Sequence, residues 1–323
     1  MPANRADARW LAAAAGLAAR ARPLSRPNPA VGAIVAAGGR VVGRGWTRPG
    51  GRPHAEAEAL RQAGAAARGA TLYVTLEPCA HESARGPCCA GLAAEAGVAE
   101  VVIGVGDPDP RTAGAGIARL EAAGIAVRLA DDPACRASLA GYLALRERGR
   151  PQVTLKLATS LDGCIALASG ASRWITGEAP RAHAHLERAR CDAILVGGGT
   201  LRADAPRLDV RLPGLEERSP RRIVLTSGEA PEGWSRIAAP SAIAALDGVQ
   251  YLLVEGGAQT AAAFLAADLV DRLLLYRAPI VIGGGLPAIG DIGLADLAGA
   301  HGRWRLSDRR RLGSDTLEVY ERA

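Results

Sequence analysis

The stretch "TLEPCAHESARGPCC", residues 75–89, concentrates potential metal ligands in a chain that has few of them. It holds three of the six cysteines and one of the five histidines in 323 residues. It begins inside a predicted strand, "ATLYVTLE" (70–77), and ends inside a predicted helix, "PCCAGLAAEAG" (87–97), which Gly97 terminates. A strand-to-helix connection therefore carries the thiols, which places them at one edge of a predicted sheet.

The residues around this stretch alternate between strand and helix patterns. Further strands are predicted at "AVGAIVA" (30–36), "RVVGRGW" (40–46), "AEVVIGV" (99–105) and "IAVRLA" (125–130). Further helices are predicted at "HAEAEALRQAG" (54–64) and "GIARLEAAG" (116–124). Helices that join strands at this spacing predict an α/β fold, in which parallel strand pairs are covered by helices.

The second half repeats this organisation after a charged segment that is predicted to be helical, "LRERGRP" (145–151). We place the boundary near 149–151, which gives domains of 1–149 and 150–323. Strands are predicted at "QVTLKLATSLDG" (152–163), "DAILVGGG" (192–199), "RRIVLTSG" (221–228), "VQYLLVEGG" (249–257) and "DRLLLYRAPIVIGGG" (271–285). Helices are predicted near 178–190 and at 258–267. The second domain is therefore also predicted to be α/β, with several Gly-rich strand ends.

The bulk composition restricts the possible function classes. Hydrophobic residues make up 49% and charged residues 22%, which is typical of a globular protein. No apolar run is long enough for a membrane span. The apolar part of the N-terminal "MPANRADARWLAAAAGLAARA" is mostly alanine, which is weakly hydrophobic, so we interpret it as a first helix rather than an export signal. A net charge of +6 without Lys/Arg-rich blocks favours a small anionic ligand over nucleic acid.

His54, Cys79 and Cys88 are interpreted as the ligands of a catalytic zinc site, which takes three protein ligands and keeps one position for water. His54 and Cys88 each open a predicted helix, where a thiolate is favoured over a thiol. Glu56 lies two residues after His54, so its carboxylate can take a proton from that water and pass it to a leaving amine. H-x-E followed by P-C and a second cysteine is the signature of zinc-dependent base deaminases. The usual P-C-x-x-C is replaced here by a gap of eight residues.

A closed, structural zinc site is the alternative interpretation. His81 could be its fourth ligand, or it could face the substrate. Glu56 argues against a structural site, because such a site needs no carboxylate beside its ligands. The remaining cysteines Cys89, Cys135 and Cys191 are interpreted as small buried hydrophobes.

Four segments of the first half resemble the deaminase half of the bifunctional RibD family of riboflavin biosynthesis: "RPNPAVGAIV", "PHAEAEAL", "YVTLEPCAHESARGPCC" and "VVIGVGDPDP". Four segments of the second half resemble its reductase half: "LKLATSLDGCIALASGASRWITG", "DAILVGGGTLRADAPRLDVR", "RIVLTSG" and "YLLVEGGAQTAAAFL". The resemblance covers nearly the whole chain and includes the eight-residue gap. It implies a cytidine-deaminase-like three-layer domain followed by a dihydrofolate-reductase-like α/β domain.

The resemblance implies that His54, Cys79 and Cys88 bind one zinc ion per chain. It implies that Glu56 is the catalytic proton shuttle and that Asn28 contacts the base. The implied substrate is a small phosphorylated pyrimidine, 2,5-diamino-6-ribosylamino-4(3H)-pyrimidinone 5′-phosphate, which would be deaminated by hydrolysis.

The second half is implied to bind NADPH and to reduce the ribosyl group to ribityl. The implied cofactor-binding residues are Ala158, Trp174, Thr200, Asp204, Ser227, Gly257, Ala258, Gln259, Thr260, Ala261, Ala262 and Ala263. The implied substrate-binding residues are Ser172, Arg188, Leu208, Arg211 and Glu255. The Gly-rich ends "VGGGT" (196–200) and "EGGAQT" (255–260) can bind phosphate through backbone N–H groups, although neither is G-x-G-x-x-G.

Three positions raise questions within this resemblance. The family usually has a basic residue before Thr-Pro-Pro in the stretch between the two cysteines, whereas this chain has Ala84 followed by Arg85. Cys164 stands where the family often has Arg. Lys156 is the only lysine among 39 basic residues, and its role is left open between a ligand contact and chance survival on the surface.

The alternative function is a single-function zinc nucleoside or base deaminase whose second domain only binds or dimerises. The ordered motifs of the second half disfavour it. The resemblance further implies a homo-oligomer that forms through the reductase domain. Free thiols favour a cytoplasmic location, and neither nucleic acid nor a membrane is expected as a partner.

Overall fold

The computed structural model describes residues 5–81 and 86–323 of the chain. Ala84 and Arg85, the positions that depart from the family pattern, lie outside the described residues. The chain divides into two compact units, Met1–Gly149 and Arg150–Ala323. Within the described ranges, no helix is both long and apolar enough to cross a membrane.

The first unit is a five-stranded sheet with helices on both faces. Its strands are β1 (Gly32–Ala37), β2 (Arg40–Trp46), β3 (Thr71–Leu76), β4 (Glu100–Val105) and β5 (Ala126–Leu129). Its helices are α1 (Arg5–Ala18), α2 (Ala55–Ala63), α3 (Cys89–Ala96), α4 (Ala115–Ala122), α5 (Pro133–Ser138) and α6 (Ala140–Arg148). The strand order is β2-β1-β3-β4-β5. Strand β1 is antiparallel to both of its neighbours, whereas β3, β4 and β5 are parallel.

Glycines in the first two strands let helices pack directly on the sheet. A Cβ at Gly32 would lie 2.0 Å from the carbonyl oxygen of Ala14, so α1 covers that face closely. A Cβ at Gly45 would lie 2.2 Å from the carbonyl oxygen of Ala55, at the start of α2. Gly45 pairs with Ala33, the neighbour of Gly32, and successive residues of a strand point to opposite faces. The unit therefore has three layers, with α1 and α2 on opposite sides of the sheet.

The second unit is built on a larger sheet. Its strands are β6 (Gln152–Thr159), β7 (Cys164–Ala166), β8 (Ala193–Gly197), β9 (Arg221–Leu225), β10 (Ser235–Ile237), β11 (Tyr251–Val254), β12 (Arg272–Arg277), β13 (Leu286–Pro287), β14 (Trp304–Leu312) and β15 (Asp315–Arg322). Its helices are α7 (Glu178–Arg188), α8 (Gly198–Asp204) and α9 (Ala258–Ala266). The main sheet has the order β10-β9-β8-β11-β6-β12-β15-β14, and only its last two pairs are antiparallel.

The predicted α/β class is confirmed, and most predicted strands and helices are observed with shifts of a few residues at their ends. The strand predicted over 271–285 is too long, because β12 ends at Arg277 and residues 278–285 form no strand. The helix predicted from residue 87 begins at Cys89, and Cys88 is its N-cap. The C-terminal hairpin of β14 and β15 had no prediction. Strand β15 buries Leu317 and Val319 in alternation, but the Arg-rich edge strand β14 is largely exposed and shows little hydrophobic pattern.

Two Gly→Ala substitutions in the first unit are expected to change its stability in opposite directions. Gly45→Ala forces a Cβ against the backbone of α2 and should lower the free energy of unfolding by about 1–3 kcal/mol. Gly16 is exposed in α1 and has no atom within 4 Å of an added Cβ, so Gly16→Ala should raise that free energy by up to about 1 kcal/mol. Urea unfolding of both variants measures the two signs. An unchanged Gly45→Ala variant would contradict the close approach of α2.

Candidate active sites

A cavity of about 320 Å³ opens in the first unit where β3 and β4 end and α2 begins. The predicted deaminase residues His54, Glu56 and Cys79 line it, together with Asn28 and His81. Because β3 and β4 are parallel, the residues that follow them meet at this edge of the sheet.

Glu77, which follows β3, connects the chain segments at this edge of the sheet through hydrogen bonds. Its buried carboxylate accepts hydrogen bonds from the backbone N–H groups of Asp107 (3.3 Å), Gly114 (3.2 Å), Gly116 (3.0 Å) and Ile117 (3.3 Å). A Cβ at Gly116 would lie 2.0 Å from the carbonyl oxygen of Pro78, so only glycine permits this approach. No sequence pattern indicates this role of Glu77, because a carboxylate that binds distant backbone leaves no local signal.

His54 is the N-cap residue of α2, and its ring is held from both sides. Its Nδ1 lies 3.2 Å from Sγ of Cys89 and 3.6 Å from Sγ of Cys79. Its Nε2 lies 3.1 Å from Nδ2 of Asn28, which also donates to the carbonyl oxygen of Gly51 at 3.0 Å. Burial alone would lower the pKa of His54, but the hydrogen bond with Cys79 and the charge of Glu56 raise it overall. The short distances from Nδ1 to the two sulfurs show that Nδ1 is the nitrogen that faces the thiols.

The structure brings His54, Cys79 and Cys89 together, with their ligand atoms all within 4.8 Å of one another. Cys79 Sγ accepts a hydrogen bond from the backbone N–H of Cys89 at 3.4 Å. A hydrogen bond from the Cys89 thiol lowers the pKa of Cys79. The same hydrogen bond, together with burial, raises the pKa of Cys89. Cys89 was interpreted as an inert hydrophobe, yet it lies inside the donor cluster.

Cys88, the predicted ligand, is not among the side chains brought together. Its Sγ accepts the backbone N–H of Gly91 at 3.4 Å and so caps α3. Cys88 and Cys89 are both buried and adjacent at the start of the helix. His81 lines the cavity but is not part of the cluster either.

Glu56 is buried beside this cluster and has only 3% of its surface exposed. Burial raises the pKa of its carboxyl, which a hydrogen bond from the Cys89 side chain partly offsets. A carboxyl group in such a place can carry a proton as well as accept one, as a proton shuttle must.

In the second unit, Glu255 lies at the end of β11 and is the centre of a buried ion network. Arg188, the last residue of α7, donates to it twice, at 2.7 and 2.8 Å. Lys156 Nζ lies 3.6 Å away on the neighbouring strand β6. Burial alone would raise the pKa of Glu255, but Lys156 and Arg188 lower it to about 2. Lys156, the only lysine of the chain, is therefore not a surface residue without a role, since it helps to keep a buried carboxylate ionised.

Other predicted substrate-binding residues lie around this network. Arg188 also donates to the carbonyl oxygen of Asp209 (3.1 Å), between buried Leu208 and exposed Arg211. Arg211 Nη2 lies 3.2 Å from Nε2 of His185, one turn before Arg188. Ser172 lies half-buried in the connection between β7 and α7.

The predicted cofactor-binding residues lie mainly at the ends of two neighbouring strands. Helices α8 and α9 start directly after β8 and close to the end of β11, and neither has a side-chain cap at its N-cap glycine. Thr200 Oγ1 accepts the N–H of Gly257 at 3.2 Å, and a Cβ at Gly197 would lie 2.1 Å from Thr260 Oγ1. Backbone N–H groups without side-chain caps at two adjoining helix starts suit the phosphates of a dinucleotide.

The remaining predicted cofactor residues take less enclosed positions. Asp204 ends α8, Ser227 follows β9, and both are exposed, whereas Ala158 is half-buried in β6. Trp174 is 67% exposed and has the guanidinium of Arg181 4.9 Å from its ring centroid. The ring of Trp174 is therefore not part of the hydrophobic core. The residues from Gly257 to Ala263 form the N-cap and first turns of α9: Gly257, Ala258, Gln259, Thr260, Ala261, Ala262 and Ala263.

Comparison with known proteins accounts for both units. Residues 4–105 match the cytidine and deoxycytidylate deaminase zinc-binding region, and residues 151–317 match the RibD C-terminal domain. A riboflavin biosynthesis protein RibD of Mycobacterium tuberculosis (strain H37Rv) is 41% identical over 310 residues, which cover 90% of each chain. The chain belongs to the RibD family.

Other RibD relatives match along nearly their whole length. The RibD of Escherichia coli K12 is 38% identical over 360 residues, covering 96% of this chain and 97% of the relative. The solved structure of Acinetobacter baumannii RibD is 33% identical, covers 99% of each chain and superposes with a TM-score of 0.86. A Thermotoga maritima structure, described as a diaminohydroxyphosphoribosylaminopyrimidine deaminase/5-amino-6-(5-phosphoribosylamino)uracil reductase, is 30% identical, covers 98% of this chain and 99% of that one, and has a TM-score of 0.86.

These matches confirm the predicted fold class and the predicted pair of activities. As a RibD protein, the chain is a bifunctional deaminase and reductase of riboflavin biosynthesis, with zinc in the first unit and NADPH in the second. A single-function deaminase is disfavoured, because the second half matches the RibD C-terminal domain over 151–317.

The stabilisation by Glu255 is expected to be lost in acid. Its folded pKa of about 2 lies below the unfolded value, so ionised Glu255 stabilises the fold above about pH 4.3, and this contribution falls as the pH approaches 2. The difference in free energy of unfolding between wild type and Glu255→Gln should therefore shrink from about pH 6 to about pH 3. Urea unfolding at several pH values measures it. Glu229→Gln, at an exposed loop position, is the control and should show no such trend.

Proposed function

We propose that the first unit deaminates 2,5-diamino-6-ribosylamino-4(3H)-pyrimidinone 5′-phosphate and that the second unit then reduces the ribosyl group of the product to ribityl. The observation that carries the proposal is the cavity that holds a buried Glu56 beside an imidazole and thiol donors. The Thermotoga maritima relative is described as a deaminase and a reductase of such pyrimidines, which supports the same pair of activities here.

The donor set in the first unit suits zinc. One imidazole nitrogen and two sulfurs within 4.8 Å are the soft and borderline ligands that zinc prefers, and the three leave one coordination position for water. Zinc held there supplies a nucleophile from water at neutral pH. We propose His54, Cys79 and Cys88 as the ligands, following the spacing of the family motif. Cys89 is the alternative third ligand, because it is the thiol that lies nearer to His54.

Glu56 is proposed to move the protons of the deamination. It lines the same cavity as His54 and Cys79 without belonging to the donor cluster, so it can take a proton from the attacking water and give it to the departing amine. Asn28 lines the cavity too and is proposed to contact the pyrimidine. Its amide is fixed by the carbonyl of Gly51, which orients the contact before the substrate binds.

In the second unit, NADPH would supply a hydride to C1′ of the ribose. We propose that its phosphates lie at the starts of α8 and α9, near Thr200 and Gly257. Glu255 is proposed to accept hydrogen bonds from substrate hydroxyl or amino groups, and Arg188 holds it in place through two bonds. Because Arg188 is engaged in this way, exposed Arg211 is the better candidate to contact the 5′-phosphate.

A homo-oligomer that forms through the second unit and a cytoplasmic location are proposed as well. Several large apolar side chains of this unit are exposed, among them Val281 and Leu297 at 72% each. All six cysteines are free, as a reducing compartment would keep them.

Single Cys→Ser variants test the third zinc ligand. Cys79→Ser and Cys88→Ser are expected to lose zinc, because each removes one of three thiolate or imidazole donors. Cys89→Ser is expected to keep about one zinc per chain, as should the control Cys191→Ser in the other unit. Elemental analysis of purified protein measures the metal content. Zinc lost from Cys89→Ser and kept by Cys88→Ser would contradict the motif and assign the ligand to Cys89.

Glu56→Gln separates catalysis from metal binding. Zinc should remain, while deamination should fall by about 100-fold or more, since the amide cannot carry the proton. NADPH oxidation with the already deaminated 5-amino-6-(5-phosphoribosylamino)uracil should be unchanged. Glu121→Gln, at an exposed position of α4, is the control and should keep both activities. Full deamination by Glu56→Gln would remove Glu56 from the reaction.

A further inference from the structure

Among the described residues, three arginines line the deaminase cavity: Arg52, Arg111 and Arg146. Two of them share a carboxylate, because Asp109 lies 2.6 Å from Arg111 and 3.0 Å from Arg146. The Arg111 guanidinium holds the pKa of Asp109 well below its usual range, so the carboxylate stays ionised and keeps its partners. These two cations are therefore partly neutralised before any ligand arrives.

Arg52 is different. It is half-buried, lies two residues before His54 and has no carboxylate partner among residues 5–81 and 86–323. Within those residues its guanidinium makes one long hydrogen bond, 3.4 Å from Nη1 to the carbonyl oxygen of Pro87. A guanidinium has five N–H donors, so most of its hydrogen-bonding capacity is left for a ligand.

The guanidinium of Arg52 lies next to the end of the segment between Cys79 and Cys88, where the sequence departs from the family pattern. A Cβ at Gly86 would lie 3.3 Å from Arg52 Nη1, so the cation lies against the residues just before Cys88. That is the end of the segment in which this chain has Ala84 instead of the basic residue usual in the family. Arg52 thus brings a positive charge to this segment from the α2 side of the cavity.

We propose that Arg52 binds the 5′-phosphate of the deaminase substrate and makes this unit selective for phosphorylated pyrimidines. The inference rests on the proposed function, which supplies the phosphate. A planar guanidinium matches a phosphate through two parallel N–H···O bonds, which a lysine cannot reproduce. The phosphate is remote from the reacting carbon, so Arg52 determines specificity and takes no part in the proton transfers of Glu56.

Steady-state deamination of the phosphorylated substrate and of its dephosphorylated form tests this role. Arg52→Ala is expected to lower kcat/KM for the phosphorylated substrate by about 10- to 100-fold, the value of a charged hydrogen-bond pair. The same variant should leave kcat/KM for the dephosphorylated form unchanged. Arg52→Lys should fall between Arg52→Ala and wild type. Arg44→Ala, an exposed arginine of β2 outside the cavity, is the matched control and should behave as wild type.

These assays distinguish failure of the phosphate-binding role of Arg52 from failure of the proposed deaminase function. A wild-type enzyme that deaminates neither compound would overturn the proposed function and the inference with it. If wild type is active and the Arg52→Ala and Arg52→Lys variants keep its kcat/KM, the inference alone is overturned. The same holds if both variants keep their zinc but lose kcat/KM equally for the phosphorylated and the dephosphorylated substrate. A selective loss in Arg85→Ala with none in Arg52→Ala would likewise overturn it, by assigning the phosphate to the loop.

Discussion

The buried carboxylate of Glu77 is the contact on which the deaminase site depends. It follows β3 directly and binds four backbone N–H groups, two in the connection from β4 to α4 and two in the first turn of α4. Those groups would otherwise be unpaired at the edge of the sheet, and a buried unpaired amide costs about 1–3 kcal/mol. The same interaction fixes the two strand ends that carry Cys79 and Asp107, so the position of the donor cluster follows from it.

The two units share one arrangement of strands and helices at their sites but support different chemistry. Each places its site at the carboxyl ends of parallel strands, where connections to helices bring side chains and helix N-termini to one edge. In the first unit the helix starts carry His54 and the Cys88–Cys89 pair, which suits a metal. In the second unit they carry glycine and alanine, which leaves backbone N–H groups available for phosphate.

Buried charge is handled differently at the two sites. Glu255 is ionised because Lys156 and Arg188 compensate for its burial, and the network holds the side chain in one orientation. Glu56 has no arginine or lysine partner among the described residues, so burial raises its pKa and the carboxyl can exchange protons. A carboxylate that positions a substrate and a carboxyl that carries a proton thus need opposite surroundings.

The sequence by itself determined the α/β class, most strands and helices of both halves and the family, and it indicated His54 and Cys79 as candidate metal donors, because these depend on hydrophobic periodicity and on short motifs. It did not determine which of two adjacent cysteines faces His54, since the rotation of the first turn of α3 decides whether a thiol caps the helix or joins the cluster. Only the tertiary structure paired Lys156 with Glu255, across two strands about a hundred positions apart in the chain. Only it showed that Arg111 and Arg146 are already paired while Arg52 has no carboxylate partner in the described part of the chain, because ion pairing depends on loops that meet in space and leave no local signal in the sequence.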